Sequence, residues 1–215
     1  MADGTGILPA ADWRERVEFE RRLVHTGGTL YPVPYLLGWL SWTETALVLV
    51  FGVAVVGLLE FLRLVVGLDH AIYRALTREY ESDGVAGYAL YQVSMAGVAL
   101  LATTSLASPT LAIPAMWMLS LGDPVSGALG DNAATEPKRP AVWVAMFLVC
   151  LALAAPFTVL AFGSTVGVAA AAAGALGATV ADGLPPVIRG VAVDDNLTIP
   201  PVAVTAMVLV LALLG

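Results

Sequence analysis

Long runs of apolar, uncharged residues dominate this sequence, and they restrict its fold more than any motif does. Residues 46–66, 85–106 and 141–162 are three such runs, each of about 20 largely uncharged residues. At a rise of about 1.5 Å per residue, each run is long enough to cross a hydrocarbon layer of about 30 Å. The chain is 59% hydrophobic and 13% charged, whereas soluble domains contain roughly 25% charged residues. We therefore expect an integral membrane protein built from α-helices.

Four shorter apolar segments bring the expected number of transmembrane helices to about seven. They cover residues 30–42, 109–122, 165–181 and 199–214. The first two contain prolines, so we expect each to be a short, kinked or partly inserted helix. The prediction is one all-α polytopic catalytic domain over residues 28–215, preceded by an amphipathic cytoplasmic segment at residues 1–27.

The positions of the basic residues predict how the chain is oriented. With the seven apolar segments numbered in chain order, all ten basic residues lie in alternate connections. They precede the first segment (30–42), lie at or after the end of the second (46–66), or follow the fourth (109–122) or the sixth (165–181). Because cytoplasmic loops are enriched in Lys and Arg, we expect the N-terminus in the cytoplasm and the C-terminus outside. All of the 17 acidic residues except Glu44 lie on the same expected face. This pattern indicates a multi-pass protein of the cell membrane with its ionisable chemistry at the cytoplasmic face.

A nucleic-acid partner is not expected. The net charge is −7, and no basic cluster or stripe is present that would neutralise the phosphates of a duplex.

Asp123 follows the fourth apolar segment, in the sequence LSLGDPVSGALGD. Small residues that would let backbone amides approach phosphate oxygens surround it. These are Gly122, Gly127 and Gly130. A carboxylate beside such a loop is suited to a magnesium ion that bridges phosphate oxygens. An Asp-Pro turn that ends the helix explains the same residues without a ligand, so both interpretations stay open.

Asp194, Asp195 and Asn196 immediately precede the last apolar segment, in VDDNLTIP. Adjacent carboxylates repel each other, and both stay ionised more easily if a divalent cation lies between them. The alternative is that Asp195 or Asn196 caps the last helix, with Pro200 in its first turn.

Two further ionisable groups lie close to expected membrane surfaces. Glu60 and Arg63 are three residues apart and so share one helix face. They form either a functional group at membrane depth or a structural ion pair. His25 follows Arg21 and Arg22 by about one turn. It would orient a phosphate or exchange a proton, although an interfacial histidine without a role is the commoner case.

Five short stretches of the chain resemble, in order, those of the polyprenol kinase and phosphatidate cytidylyltransferase superfamily, which includes dolichol and phytol kinases. They are RRLVHTGG, EFLR, REYESDGVAGY, LGDPVSGALG and DDNLTIP, and together they cover nearly the whole chain. The resemblance implies a CTP-dependent lipid kinase that phosphorylates a polyprenol-type membrane alcohol and uses Mg²⁺. The loop after LGDPVSGALG departs from the kinases, because it reads DNAATEPKRPAVW and keeps only the basic pair Lys138 and Arg139.

Carried over to this sequence, the resemblance implies a role for each candidate residue. The implied metal ligands are Asp123, Asp194 and Asp195. The implied nucleotide-binding residues are Gly122, Ser126, Gly127, Gly130, Lys138, Arg139, Asn196 and His25. One carboxylate, either Glu60 or one of the three aspartates, would accept the proton of the lipid hydroxyl.

Two other functions remain open at this stage. A cytidylyltransferase acting on a lipid phosphate would share the same sequence features. A small membrane transporter would use the carboxylates to bind an ion or a substrate.

Overall fold

The computed structural model describes residues 19–77, 81–130, 136–184, 186–188 and 191–215. The helices in the first half of these ranges are α1 (Phe19–Gly27), α2 (Val33–Leu36), α3 (Trp42–Leu64), α4 (Ala71–Leu76) and α5 (Gly87–Leu101). They are followed by α6 (Pro109–Trp117), α7 (Asp123–Leu129), α8 (Pro140–Phe162), α9 (Ser164–Gly183) and α10 (Asp195–Leu214). Between α9 and α10, strands β1 (Val187–Ile188) and β2 (Val191–Ala192) form an antiparallel hairpin.

Four helices in the described part of the chain, α3, α8, α9 and α10, are long and apolar enough to cross a membrane. In α3 and in α8, only 22% of an 18-residue apolar stretch is buried inside the protein. Outward-facing apolar side chains on this scale require an apolar solvent, because soluble proteins rarely expose large contiguous apolar surfaces. The chain is therefore an α-helical membrane protein. The predicted total of seven spans and the predicted orientation stay predictions.

The two proline-containing segments differ from each other. Residues 30–42 do not form one helix. They run from the end of a 3₁₀ turn, Gly28–Leu30, through the four-residue helix α2 and a reverse turn at Gly38, where φ is 72°, to the start of α3 at Trp42. Residues 109–122 instead form α6 and a π-helical turn, Met118–Gly122, which leads directly into α7. The helix thus runs without a break from residue 109 to residue 129.

Helix α9 lies between α8 and α10 and packs closely against both. A Cβ atom at Gly167 would lie 2.5 Å from the carbonyl oxygen of Thr158 in α8, and one at Gly174 would lie 2.6 Å from Met207 in α10. Small residues let helices approach closely in lipid, where no hydrophobic force drives them together. This packing sets the positions of the C-terminal end of α9 and the N-terminal end of α10, where the candidate site lies.

The predicted amphipathic segment at residues 1–27 is described only from residue 19, where α1 begins. Residues 1–18 lie outside the described part of the chain.

Candidate functional site

Three aspartates from three separate helices meet at one end of the bundle. Asp123 is the first residue of α7, Asp182 is the last but one of α9, and Asp195 is the first of α10. One carboxylate oxygen from each lies within 4.8 Å of the other two. Asp182 is buried, and the other two are partly buried. Three like charges at this spacing require a compensating positive charge.

Lys138 supplies part of that charge. Its Nζ atom donates hydrogen bonds to Asp182 Oδ1 at 2.6 Å and to Ser126 Oγ at 3.0 Å. The Ser126 hydroxyl in turn donates to Asp182 Oδ2 at 2.6 Å. Burial disfavours the charged lysine, but the carboxylates of Asp182, Asp123 and Asp195 outweigh it and hold the pKa of Lys138 above its usual value. The lysine is therefore a protonated, built-in cation of the cluster.

His25 connects helix α1 to the cluster. Its Nε2 atom lies 3.3 Å from Asp123 Oδ2. The imidazole packs edge-on against Tyr91, with ring centroids 4.4 Å apart. The Tyr91 hydroxyl donates to the carbonyl oxygen of His25 at 2.9 Å and is 2.6 Å from Ser120 Oγ. These contacts fix the position of the His25 ring beside Asp123.

The glycine-rich stretch after the fourth apolar segment is helical, whereas the sequence suggested an open phosphate-binding loop. Gly122 is buried, and a Cβ atom there would lie 2.9 Å from Met146 Sδ. Gly127 lies inside α7, where its carbonyl oxygen accepts a hydrogen bond from Arg22 at 2.8 Å. Gly130 ends the helix. These glycines serve packing and helix termination, and Ser126 with Asp123 carries the polar contacts of this stretch.

Asp194, expected as a metal ligand, caps helix α10 instead. Its Oδ1 atom accepts hydrogen bonds from the Asn196 backbone amide at 2.9 Å and from Asn196 Nδ2 at 2.5 Å. The first amides of a helix have no partner within the helix, so a carboxylate at this position is used for capping. Asp182, which sequence reasoning missed, takes the place of Asp194 in the cluster.

Asp182 does leave a signal in the sequence. It is the only charged residue between Arg139 and Arg189. Ionisable residues within apolar segments are costly and usually functional, so this isolation is the signal by which Asp182 could have been found.

Glu60, proposed as a base, lies in a network that holds the loop before α5. It accepts hydrogen bonds from Arg63 Nε at 3.0 Å, Arg63 Nη2 at 2.7 Å, the Ala86 amide at 3.0 Å and the Tyr88 hydroxyl. Arg63 also donates to three backbone carbonyls, those of Glu81, Ser82 and Gly84. Both carboxylate oxygens of Glu60 are thus occupied, which favours the structural interpretation of this pair.

Arg139, the second member of the basic pair, contacts the end of α7. Its Nη2 atom donates to the Leu129 carbonyl at 3.1 Å, and the residue is exposed. It is placed to stabilise the helix terminus.

A cavity of about 220 Å³ lies beside the cluster, with walls from α1, α3, α4, α5 and the start of α10. Its walls are mainly aliphatic and aromatic and include Val24, Val56, Leu59 and Leu76. Two of its polar wall residues adjoin the cluster, because His25 contacts Asp123 and Asn196 directly follows Asp195.

The donor set of the cluster suits a hard divalent cation. Mg²⁺ binds oxygen ligands at about 2.0–2.1 Å in octahedral geometry, which puts ligand oxygens about 3–4.2 Å apart. The three carboxylate oxygens lie within 4.8 Å of one another, so a small inward movement would bring them onto one ion. All-oxygen ligation and a nearby lysine are also what a metal–phosphate substrate requires.

Comparisons of this chain with models of known families, with curated proteins and with solved structures found no match. The superfamily assignment therefore remains an expectation from the five sequence stretches.

Proposed function

We propose that the protein is a CTP-dependent lipid kinase that transfers the γ-phosphate to the hydroxyl of a polyprenol-type lipid. The main support for this proposal is the cluster formed by Asp123, Asp182, Asp195 and Lys138. The cluster lies at the ends of apolar helices and beside an apolar cavity. Phosphoryl transfer depends mainly on positioning and charge neutralisation, which carboxylates with Mg²⁺ and a lysine supply. The resemblance to the polyprenol kinases supports CTP as the donor.

In the proposed reaction, the lipid hydroxyl oxygen forms a bond to the γ-phosphorus of CTP. The bond from that phosphorus to the β,γ-bridging oxygen breaks, and CDP leaves with its electron pair. The hydroxyl proton passes to a carboxylate of the cluster or to His25. A bound Mg²⁺ would neutralise charge on the phosphates. Asp123, Asp182 and Asp195 would hold it.

Lys138 has two tasks in this proposal. Its ammonium group favours the charged form of Asp182 and holds the carboxylate in place through the 2.6 Å hydrogen bond. An ammonium group also has three donors, so a further hydrogen bond to a phosphate oxygen of the nucleotide is available to it.

The proposal includes seven membrane segments in the cell membrane, with the N-terminus cytoplasmic and the C-terminus outside. Its support is that the cluster lies where α9 ends and α10 begins, and Lys138 and Arg139 directly precede α8 at this end. The proposed catalytic face is thus also the face that the basic residues mark as cytoplasmic.

The position of the label in the product distinguishes the proposed reaction from its alternatives. Purified protein in lipid vesicles with Mg²⁺ is offered γ-labelled or α-labelled CTP and, separately, a polyprenol, a phytol-like prenol and a diradylglycerol. Label from γ-labelled CTP in the lipid supports the kinase. Label from α-labelled CTP identifies a cytidylyltransferase, and no transfer to any acceptor contradicts both enzyme functions.

A matched pair of variants ties the activity to the cluster. Asp182→Asn is expected to lower turnover by on the order of 100-fold, since it removes a ligand of the Mg²⁺ that would neutralise charge on the reacting phosphates. Asp83→Asn, an exposed carboxylate in the loop before α5, serves as the control and should match the unaltered protein.

A further inference from the structure

We propose that the cavity beside the cluster binds the hydroxyl-bearing end of the acceptor lipid, and that Asn196 Oδ1 accepts the hydrogen bond from that hydroxyl. This inference rests on the proposed function, because it locates the alcohol substrate of that reaction.

The side-chain amide of Asn196, in the cavity wall, has a buried oxygen atom that lacks a hydrogen-bond donor in the described part of the chain. The residue is 1% exposed, and its Nδ2 atom donates to Asp194 Oδ1 at 2.5 Å. A carboxylate only accepts hydrogen bonds, so the amide nitrogen must face Asp194, and this fixes which amide atom is Oδ1. Oδ1 is buried and has no hydrogen-bond partner among the residues that the structure describes. A buried carbonyl oxygen without a donor is unfavourable, and an O–H group from a ligand would satisfy it.

Three other polar side chains of the same wall already have hydrogen-bond partners within the protein. The Tyr31 hydroxyl donates to Gln92 Oε1 at 2.6 Å, and Gln92 Nε2 donates to the Leu49 carbonyl at 2.8 Å. The Tyr91 hydroxyl donates to the His25 carbonyl. Asn196 Oδ1 therefore stands out as an acceptor for a bound hydroxyl.

The size of the cavity indicates how much of a lipid it takes. An apolar cavity of about 150 Å³ accommodates benzene, so this cavity of about 220 Å³ has room for about eight or nine carbon atoms. That is the end of a chain, so the remainder of a long lipid has to lie outside the cavity. The aliphatic wall residues Val56 and Leu59 belong to α3, whose neighbouring Leu58 and Phe61 are 58% and 52% exposed on the outward face. The cavity therefore selects the first isoprenoid units and the hydroxyl, and not the chain length.

The position of the cavity suits transfer of a phosphate. Asn196 directly follows the cluster residue Asp195, and His25 lies 3.3 Å from Asp123. A hydroxyl bound at Asn196 is thus next to the residues proposed to hold the metal nucleotide. Because an amide oxygen is too weak a base to take the proton, the single hydroxyl hydrogen leaves Oδ1 for a cluster carboxylate or His25 when the oxygen attacks the phosphorus.

Binding is tested without nucleotide, so that the result does not depend on catalysis. Purified protein in detergent is titrated with a short prenol alcohol and with its methyl ether, which has the same chain but no hydroxyl donor. The unaltered protein should bind the alcohol at least about fivefold more tightly, as expected for one net hydrogen bond. Asn196→Ala should remove this preference while retaining the ether's affinity. Equal binding of alcohol and ether to the unaltered protein, as expected if Oδ1 holds only a water molecule, would overturn the assignment.

A second pair of variants tests the cavity itself. Leu59→Trp fills it from α3, whereas Leu58→Trp places the same bulk on the exposed face one residue away. We expect Leu59→Trp to weaken prenol binding at least tenfold and Leu58→Trp to leave it unchanged. Equal affinities in the two variants would show that the lipid binds elsewhere.

The same variants separate this inference from the proposed function. If prenol binds as expected but no label passes from CTP to lipid, the kinase proposal fails and the binding site stands. If label is transferred and Leu59→Trp keeps the KM for prenol of the unaltered protein, the kinase stands and the binding site fails.

Discussion

The side chain of Asp182 illustrates how a charge is kept inside this protein. It is 3% exposed, and both of its oxygens accept short hydrogen bonds, from Lys138 and from Ser126. Burying an ion pair costs desolvation energy, but removing one partner costs more, because the remaining charge is then uncompensated. Lys138 is therefore as necessary to the folded state as it is to the proposed chemistry.

Lys138→Met is expected to destabilise the protein by about 3 kcal/mol, the cost typical of breaking a buried pair. Thermal unfolding in detergent measures the change. Arg139→Met is the control, because Arg139 is exposed and donates a hydrogen bond to a helix terminus, not to a buried carboxylate. Equal melting temperatures for the two variants would show that the pair contributes little to stability.

The choice between Asp182 and Asp194 as a metal ligand is tested by the response to Mg²⁺ with CTP. We expect this combination to raise the melting temperature of the unaltered protein through ligand binding. Asp182→Asn should abolish the rise, and Asp194→Asn should retain it, because asparagine caps a helix about as well as aspartate. Loss of the response in Asp194→Asn alone would restore the sequence-based ligand set.

Residue patterns in the sequence identified part of this site. Asp123, Asp195, His25 and Lys138 were all candidates, and all four lie at the cluster. The sequence could not choose between Asp194 and Asp195, because adjacent residues at a helix start point about 100° apart. That direction depends on how α10 packs.

At the scale of helices, the close contact between α8 and α9 organises the bundle. Gly167 lies against the backbone of Thr158 and Val159, with no flexible side chain between them. A substitution there has to move one helix, which moves the end of α9 that carries Asp182.

Gly167→Ala is expected to destabilise the protein by about 1–3 kcal/mol, since its Cβ atom would lie 2.5 Å from the Thr158 carbonyl oxygen. Gly97→Ala is the matched control, because a Cβ atom there has no neighbour within 4 Å, and alanine favours a helix over glycine by about 1 kcal/mol. Thermal unfolding of both variants should give shifts of opposite sign. A Gly167→Ala variant as stable as the unaltered protein would mean that the helices separate easily.

The apolar pattern predicted α3, α8, α9 and α10 well. The run at residues 141–162 corresponds to α8 within one residue at its start. The run at residues 85–106, expected to cross the membrane, forms only the 15-residue helix α5, which is shorter than a span of about 20 residues. The proline-containing segments were predicted poorly. Residues 109–122 were expected to end at Gly122, but the helix continues to Leu129 through the π turn. Pro124 has no amide hydrogen to donate, and the Asp123 amide bonds the Met118 carbonyl five residues back instead. The formation of this π turn depends on tertiary contacts, and the spacing of apolar residues in the sequence carries no information about those contacts.

For the whole molecule, the proposed orientation predicts which loops face the cytoplasm. Cys150 is fully buried, so it gives little background in thiol labelling. Ser164→Cys, at the exposed first residue of α9, should react with a membrane-impermeant maleimide added to intact cells. Asp83→Cys should react only after the membrane is opened. The reverse pattern would place the carboxylate cluster outside the cell, where CTP is absent, and would exclude the proposed reaction.

The position of Lys138 also has a consequence for the order in which ligands bind. Its ammonium group already compensates Asp182, so a free Mg²⁺ ion entering alone meets one neutralised carboxylate and a neighbouring positive charge. A metal–nucleotide complex carries phosphate oxygens that accept hydrogen bonds from the same lysine, so the complex is attracted where the bare ion is partly repelled. Under the proposed function, magnesium therefore arrives with the nucleotide. Occupancy of the site follows the cellular level of the nucleotide, and not that of the free ion.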